Sequence, residues 1–206
     1  ILDSKLVSDD AFTKIYAASG YKDSAQLKVL QYGLPINELV ESDLPGVANK
    51  VWTTKLHKAD QFDRYLVISF TDTTLVLSIG ESVEEITDSG LALNEETIGV
   101  QQIGAHSIAQ VHSNGVRNIK NGQVVSEWFP PAGIKIIVSS STNRQIAVGL
   151  SNNELVYFEV DERDRLIEYG ERKELQTRIV SLSLGDISEG RLRSPFLVVG
   201  CDDSTI

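Results

Sequence analysis

Short apolar runs separated by polar turns recur along the chain. Residues 15–19, 66–70, 108–112, 146–150 and 197–201 are aliphatic, largely β-branched stretches, a composition that favours strands. Polar turns such as Thr71-Asp72-Thr73, Ser113-Asn114-Gly115, Ser151-Asn152-Asn153 and Asp202-Asp203-Ser204 follow, leading into second apolar runs such as 75–79 and 155–158. Each such pair predicts a β-hairpin, with Gly115 and Gly122, each preceded by Asn, read as type I′ turn residues. A further strand is predicted ahead of the hairpin at 51–56, 97–101, 135–138 and 179–182, and another behind it at 35–40, 83–87, 123–128 and 165–169. Four strands make one antiparallel sheet. The hairpins recur every 38 to 51 residues, close to the ~40 to 50 residue period of propeller blades.

The two middle strands of each unit are almost continuously apolar, whereas the last strand carries Glu84, Glu85, Glu127 and Glu168. Middle strands buried on both faces are what blades packed face to face require. Helical spacing of apolar residues is poor throughout. The pattern therefore predicts an all-β fold, a β-propeller arc of four-stranded antiparallel blades. The Gly-His and Trp-Asp dipeptides of ordinary WD40 repeats are missing, so the blades are WD40-like but divergent. A β-sandwich or barrel also accommodates short strands with frequent turns, but a repeating unit of this size favours the propeller. Complete blades are expected over 49–90, 97–131 and 133–175. Residues 1–48 read as a partial blade and lead-in, in which 12–42 lacks its first strand, and 178–206 as a partial blade, all in one propeller. Since a large propeller closes with about seven blades, and the chain lacks Met and begins and ends on strand-like residues, it reads as part of a longer polypeptide. An open arc exposes two apolar blade faces, so the isolated piece is expected to aggregate or to behave as a molten state.

Composition narrows the role. The 206 residues carry 19 basic and 29 acidic side chains, a net charge of −10, which repels polyanions and argues against general nucleic-acid or anionic-membrane binding. The single Cys201 excludes an internal disulfide, and no Asn-x-Ser/Thr acceptor occurs; both lean toward a reducing, intracellular compartment. No apolar run reaches the roughly 18 to 20 residues of a membrane span, and the opening Ile1-Leu2-Asp3-Ser4-Lys5 lacks a signal-peptide layout.

Candidate chemistry is sparse. Neither glycine-rich phosphate-binding pattern is present. His57, His106 and His112 are scattered in sequence, with no Cys/His pair at ligand spacing. His112 reads as a turn-flanking residue with one ring nitrogen bonded to the backbone, in preference to a catalytic base. Glu81, Glu84, Glu85, Asp88, Glu95 and Glu96 form an acidic run that fits a solvated edge and opposes edge-to-edge strand pairing; that edge could also receive a basic partner. Arg163, Arg165, Arg172 and Lys173 are interleaved with acidic residues and read as a solvated loop and outer strand, while Arg191 and Arg193 keep an option on phosphate or an acidic protein. Trp52 and Trp128 are expected in inter-blade packing. No catalytic, cofactor-binding or metal-binding residue is predicted, and no cofactor. A glycosidase or sialidase would need carboxylates or Arg converging at the ring axis, with Arg117 and Asp72 as the residues to test.

The segment Tyr65-Leu66-Val67-Ile68-Ser69-Phe70, followed by residues 74–90 (Thr74-Leu75-Val76-Leu77-Ser78-Ile79-Gly80-Glu81-Ser82-Val83-Glu84-Glu85 through Asp88-Ser89-Gly90), carries a family resemblance. So do Gly33-Leu34, Ser42-Asp43-Leu44-Pro45-Gly46, Val51-Trp52-Thr53, Glu154-Leu155-Val156-Tyr157-Phe158-Glu159, Glu171-Arg172-Lys173-Glu174 and Phe196-Leu197-Val198-Val199-Gly200. Together they resemble the second propeller of the third-subunit family of splicing factor 3b, triple-propeller proteins of the U2 snRNP. The damaged-DNA-binding adaptor of cullin ligases and the large cleavage and polyadenylation subunit share the Val125-Ser126-Glu127-Trp128 type of outer strand. Residues 92–102 and the Pro130-Pro131-Ala132 loop depart from the pattern, which marks a divergent member.

The resemblance implies a noncatalytic, nuclear protein-interaction scaffold acting in pre-mRNA splicing and spliceosome assembly. In that family the other propellers clasp a HEAT-repeat subunit and a small subunit, and the second projects outward. It implies U2 snRNP proteins as partners and indirect association with U2 snRNA and pre-mRNA, as the complex positions U2 at the branch site; no membrane is involved. The alternatives within the family are a cullin-ligase adaptor and a cleavage and polyadenylation subunit.

Overall fold

The computed structural model describes residues 3–8, 13–19, 24–31, 41 and 43–206. The described chain is built from β-strands and turns, with no α-helix among the described residues, the class the sequence pattern predicts. Residues 1–43 form one compact unit and residues 44–206 another.

In the first unit, β1 (Asp3–Ser8), β2 (Thr13–Ser19) and β3 (Gln26–Gln31) form an antiparallel sheet in that order. The sequence pattern predicts no strand ahead of residues 15–19, yet all six residues of β1 pair with β2. With two apolar residues among four polar ones, β1 lacks the apolar run that marks the buried middle strands. The strand expected over 35–40 lies outside the described residues, as do Gly33, Leu34 and Ser42.

The second unit contains the repeat. The first of its sheets comprises β4 (Lys50–Thr54), β5 (Tyr65–Ser69), β6 (Thr74–Ile79) and β7 (Val83–Glu85). The next comprises β8 (Thr97–Ile103), β9 (Ser107–His112), β10 (Gly115–Lys120) and β11 (Gln123–Trp128). A third contains β12 (Ile136–Ser141), β13 (Gln145–Leu150), β14 (Glu154–Val160), β15 (Leu166–Glu168) and β16 (Lys173–Glu174). Last comes the pair β17 (Ile179–Leu184) and β18 (Leu197–Cys201). Every pairing is antiparallel between sequence neighbours, apart from β16, which joins β14. The first strands of successive sheets touch one another, β4 to β8, β8 to β12 and β12 to β17. Sheets stacked through their first strands are propeller blades.

Side-chain alternation distributes the core between neighbouring blades. Along the wholly buried β9, Ile108 joins a cluster with Val67, Val76 and Leu91, while Ala109 and Val111 join one with Val148, Val156 and Phe158. A period of two thus gives one strand two hydrophobic faces. Each fully buried Val, Ile or Phe contributes about 1.5–3 kcal/mol; a carboxylate in place of Val148, which is fully buried, would therefore undo more than one contact.

Two local expectations need correction. Asn121 and Gly122 adopt φ of 51° and 73°, as a type I′ turn requires. Gly115 instead begins β10, pairs with His112 and has no positive φ. It is a glycine because a Cβ there would stand 2.6 Å from the carbonyl oxygen of Trp128. The outer strand expected over 165–169 forms as β15, but it does not complete the blade: β16, which the pattern does not predict, pairs with the opposite end of β14. Between them Arg172 bonds Glu168 through Nε at 2.9 Å and approaches Glu154 at 3.9 Å.

Candidate functional site

Buried polar side chains on strands and turns hold the blades to one another. Asp164, in the β14–β15 turn at φ 61°, accepts hydrogen bonds from the amides of Ala105 at 2.8 Å and His106 at 3.1 Å in the β8–β9 turn. Its carbonyl accepts from Asn118 Nδ2 at 2.8 Å. Gly104 makes room for this latch, since a Cβ there would overlap the Asp164 carboxylate. Gln110 treats the linker ahead of its blade as a neighbouring strand: Oε1 accepts from Ala92 N at 2.7 Å and Nε2 donates to Ala92 O at 3.2 Å. Gln145 does the same to the β17–β18 loop of the next blade, accepting from Ser194 N at 2.6 Å and donating to Ser194 O at 3.1 Å. Buried amides are satisfied in this way without a strand in place. Trp128 donates Nε1 to Glu168 of the next blade at 2.7 Å and packs edge-on against Phe158 with ring centroids 5.1 Å apart. Trp52 packs against the cluster around Val67 and Val100.

Unused polar capacity lies on the outer strands. All three residues of β7 and five of the six in β11 are exposed, and among the described residues β11 pairs only with β10, which leaves its other backbone edge without a strand there. Val83, Val124 and Val125 stand 61%, 43% and 53% exposed beside Glu84, Glu85 and Glu127. Such an apolar and acidic rim offers a protein partner both contact area and charge. Glu95, read in sequence with the solvated edge, is half-buried and accepts from Asn114 Nδ2 at 2.7 Å and Ser113 Oγ at 3.2 Å.

Most arginines are engaged internally. Arg165 pairs with Asp161 at 2.8 Å, Arg172 with Glu168 at 2.8 Å and Arg193 with Glu159 at 3.0 Å. Arg191 takes no part in an ion pair among the described residues. With Arg193, Tyr157, Tyr169 and Phe196 it lines an open cleft of about 720 Å³. Arg117 bonds Glu127 at 2.5 Å and the carbonyl of Gly90 at 3.0 Å, while Asp72 occupies an exposed turn.

The histidines depart from the sequence expectation. His112 is 3% exposed, and among the described residues neither ring nitrogen has a hydrogen-bond partner in place of the expected backbone bond. Glu95 Oε2 lies 4.0 Å from its Nδ1. Burial holds its pKa below the ordinary histidine range, opposed by the Glu95 carboxylate. His57 and His106, 49 residues apart, meet with their Nδ1 atoms 3.3 Å from each other.

Sequence reasoning passed over Asp164, Gln110 and Gln145. The available signal was a single polar residue at each buried position, Gln110 within Ile108-Ala109-Gln110-Val111 above all; its partners on distant loops carry no pattern in sequence.

The family described as "RSE1/DDB1/CPSF1 second beta-propeller" matches residues 36–206. "Pre-mRNA-splicing factor rse1" of Emericella nidulans is 47% identical over 208 residues, covering 100% of the chain and 17% of that protein. "Pre-mRNA-splicing factor prp12" of Schizosaccharomyces pombe is 42% identical across 98% of the chain and 17% of that protein. "Splicing factor 3B subunit 3" of Danio rerio is 42% identical across 94% of the chain and 16% of that protein. The chain thus spans about a sixth of the length of the curated relatives it matches.

Proposed function

The chain belongs to the RSE1/DDB1/CPSF1 second beta-propeller family, and from that premise we propose that it is a noncatalytic protein-interaction propeller of the splicing factor 3b complex, acting in the U2 snRNP during pre-mRNA splicing. The observation that carries this reading is identity of 42 to 48% to proteins named as splicing factors, over nearly the whole chain. The structure supports a scaffold role in a specific way. Buried polar side chains such as Asp164, Gln110 and Gln145 are spent on holding blades and loops together, and the exposed rim of β7 and β11 is available to partners. A net charge of −10 suits contact with proteins better than direct contact with RNA. The partners in this reading are the HEAT-repeat and small subunits of the same complex and other U2 snRNP proteins, with U2 snRNA and pre-mRNA reached indirectly, in the nucleus.

Affinity purification of the full-length protein from nuclear extract, with mass spectrometry and RNA sequencing, tests it. Recovery of splicing factor 3b subunits with U2 RNA is the expected outcome. Recovery of a cullin or of polyadenylation factors in their place overturns it in favour of another branch of the family.

A further inference from the structure

Two imidazoles from different blades meet at one point of the surface. His57 lies in the β4–β5 connection and His106 in the β8–β9 turn; their Nδ1 atoms are 3.3 Å apart, and their ring centroids are 5.2 Å apart at an interplanar angle of 72°. Both distances are those of two ligands on one ion. Imidazole nitrogens each about 2.0 Å from a tetrahedral Zn²⁺ stand about 3.3 Å apart. Ring centres about 3.2 Å from that ion then stand about 5.2 Å apart. A straight N–H···N bond of the same length would hold the centroids at about 5.6 Å.

The backbone under both rings is already fixed. The Lys58 amide donates to the Ala105 carbonyl at 2.9 Å, the His57 amide to Asp60 Oδ2 at 2.9 Å, and the His106 amide to Asp164 Oδ2 at 3.1 Å. Each histidine therefore sits on a loop tied down beside it, and ligands held before the metal arrives lower the ordering cost of binding. No group of three or more His, Cys, Asp or Glu able to hold a metal occurs among the described residues, so two protein ligands leave the remaining positions to water.

We propose that His57 and His106 form a two-histidine site for a divalent transition-metal ion of the zinc type, a clip between adjacent blades. The site is independent of the splicing reading.

Zn²⁺ is titrated calorimetrically into the full-length protein and into H57Q and H106Q. Each variant should weaken one site roughly tenfold or more. Binding should also weaken as the pH falls, because the ligating imidazoles must be neutral. Hydrogen exchange of the wild-type protein reads the site without any variant: added Zn²⁺ is expected to slow exchange across residues 56–60 and 104–107. No Zn²⁺ binding by the wild type, variants that bind as the wild type does, or unchanged exchange in those two segments overturns the proposal.

Discussion

Replacing Asp164 by Asn isolates the carboxylate that joins two blades. Asn also tolerates the left-handed backbone, so the φ of 61° is retained while the charge is lost. The side chain bonds Ala105 N and His106 N at 2.8 and 3.1 Å. A hydrogen bond to a charged group contributes about 1.5–3 kcal/mol. The amide of Asn can accept from one of the two backbone N–H groups but presents its own N–H₂ to the other, so one charge-assisted bond is lost and the second weakened. Lys120, 3.8 Å away with its side chain 38% exposed, adds little. The local cost is about 2 kcal/mol, or about thirtyfold in the opening equilibrium of the turn. Hydrogen exchange with mass spectrometry on the full-length protein reads that opening in peptides covering residues 103–107. Exchange there should rise about thirtyfold in D164N. Exchange within about twofold of wild type would refute the claim that the carboxylate latches the blades.

The His112 pKa is lowered by burial, so as the pH falls the unfolded chain takes up this proton before the folded one; stability is intact above about 6.5 and declines below it. The drop in melting temperature from pH about 7.5 to about 5.5 should therefore be smaller in H112Q than in wild type, and equal drops would contradict the assignment. At Gly149 a Cβ would stand 2.7 Å from Val138 Cγ1 and 3.1 Å from Ile179 Cγ2. G149A should destabilise by about 1–3 kcal/mol through overpacking, seen as a lower urea midpoint; an unchanged midpoint would show that the blade interface relaxes freely. Q145A strips Ser194 N–H and C=O of their partner, a loss of about 1–3 kcal/mol, and trypsin should cleave after Arg191 and Arg193 several-fold faster than in wild type. Cleavage at the wild-type rate would mean that the loop is held by other contacts.

The blades were legible because burial writes itself into composition. Strands β9 and β13, buried at every position, are apolar at most of them, and a run of Ile, Ala, Val and Leu between polar turns has few other uses. β11 was legible for the opposite reason, as its Glu and Gln follow from exposure. β1 was not, since a strand with few apolar residues leaves no run to find. The joints between blades were illegible for a different reason. Gln110 and Gln145 each bond backbone atoms of a loop many residues away, 18 and 49 residues respectively, and a backbone amide is the same whatever side chain it carries. The same holds for Asp164, whose acceptors meet the amides of Ala105 and His106. His57 and His106 were visible as residues but not as a pair, because only the stacking of two blades brings their loops together.

The contrast between β9, with no exposed residue, and β11, with five exposed of six, sets where this domain is free to drift. A substitution in β9 must satisfy two neighbouring blades at once, so it is admissible only alongside compensating changes in both. One in β11 that preserves strand pairing alters what a neighbour meets without disturbing packed side chains. Lineages built on this framework can therefore be re-addressed to new associates by single replacements on the outermost strands, while the interior is inherited nearly unchanged.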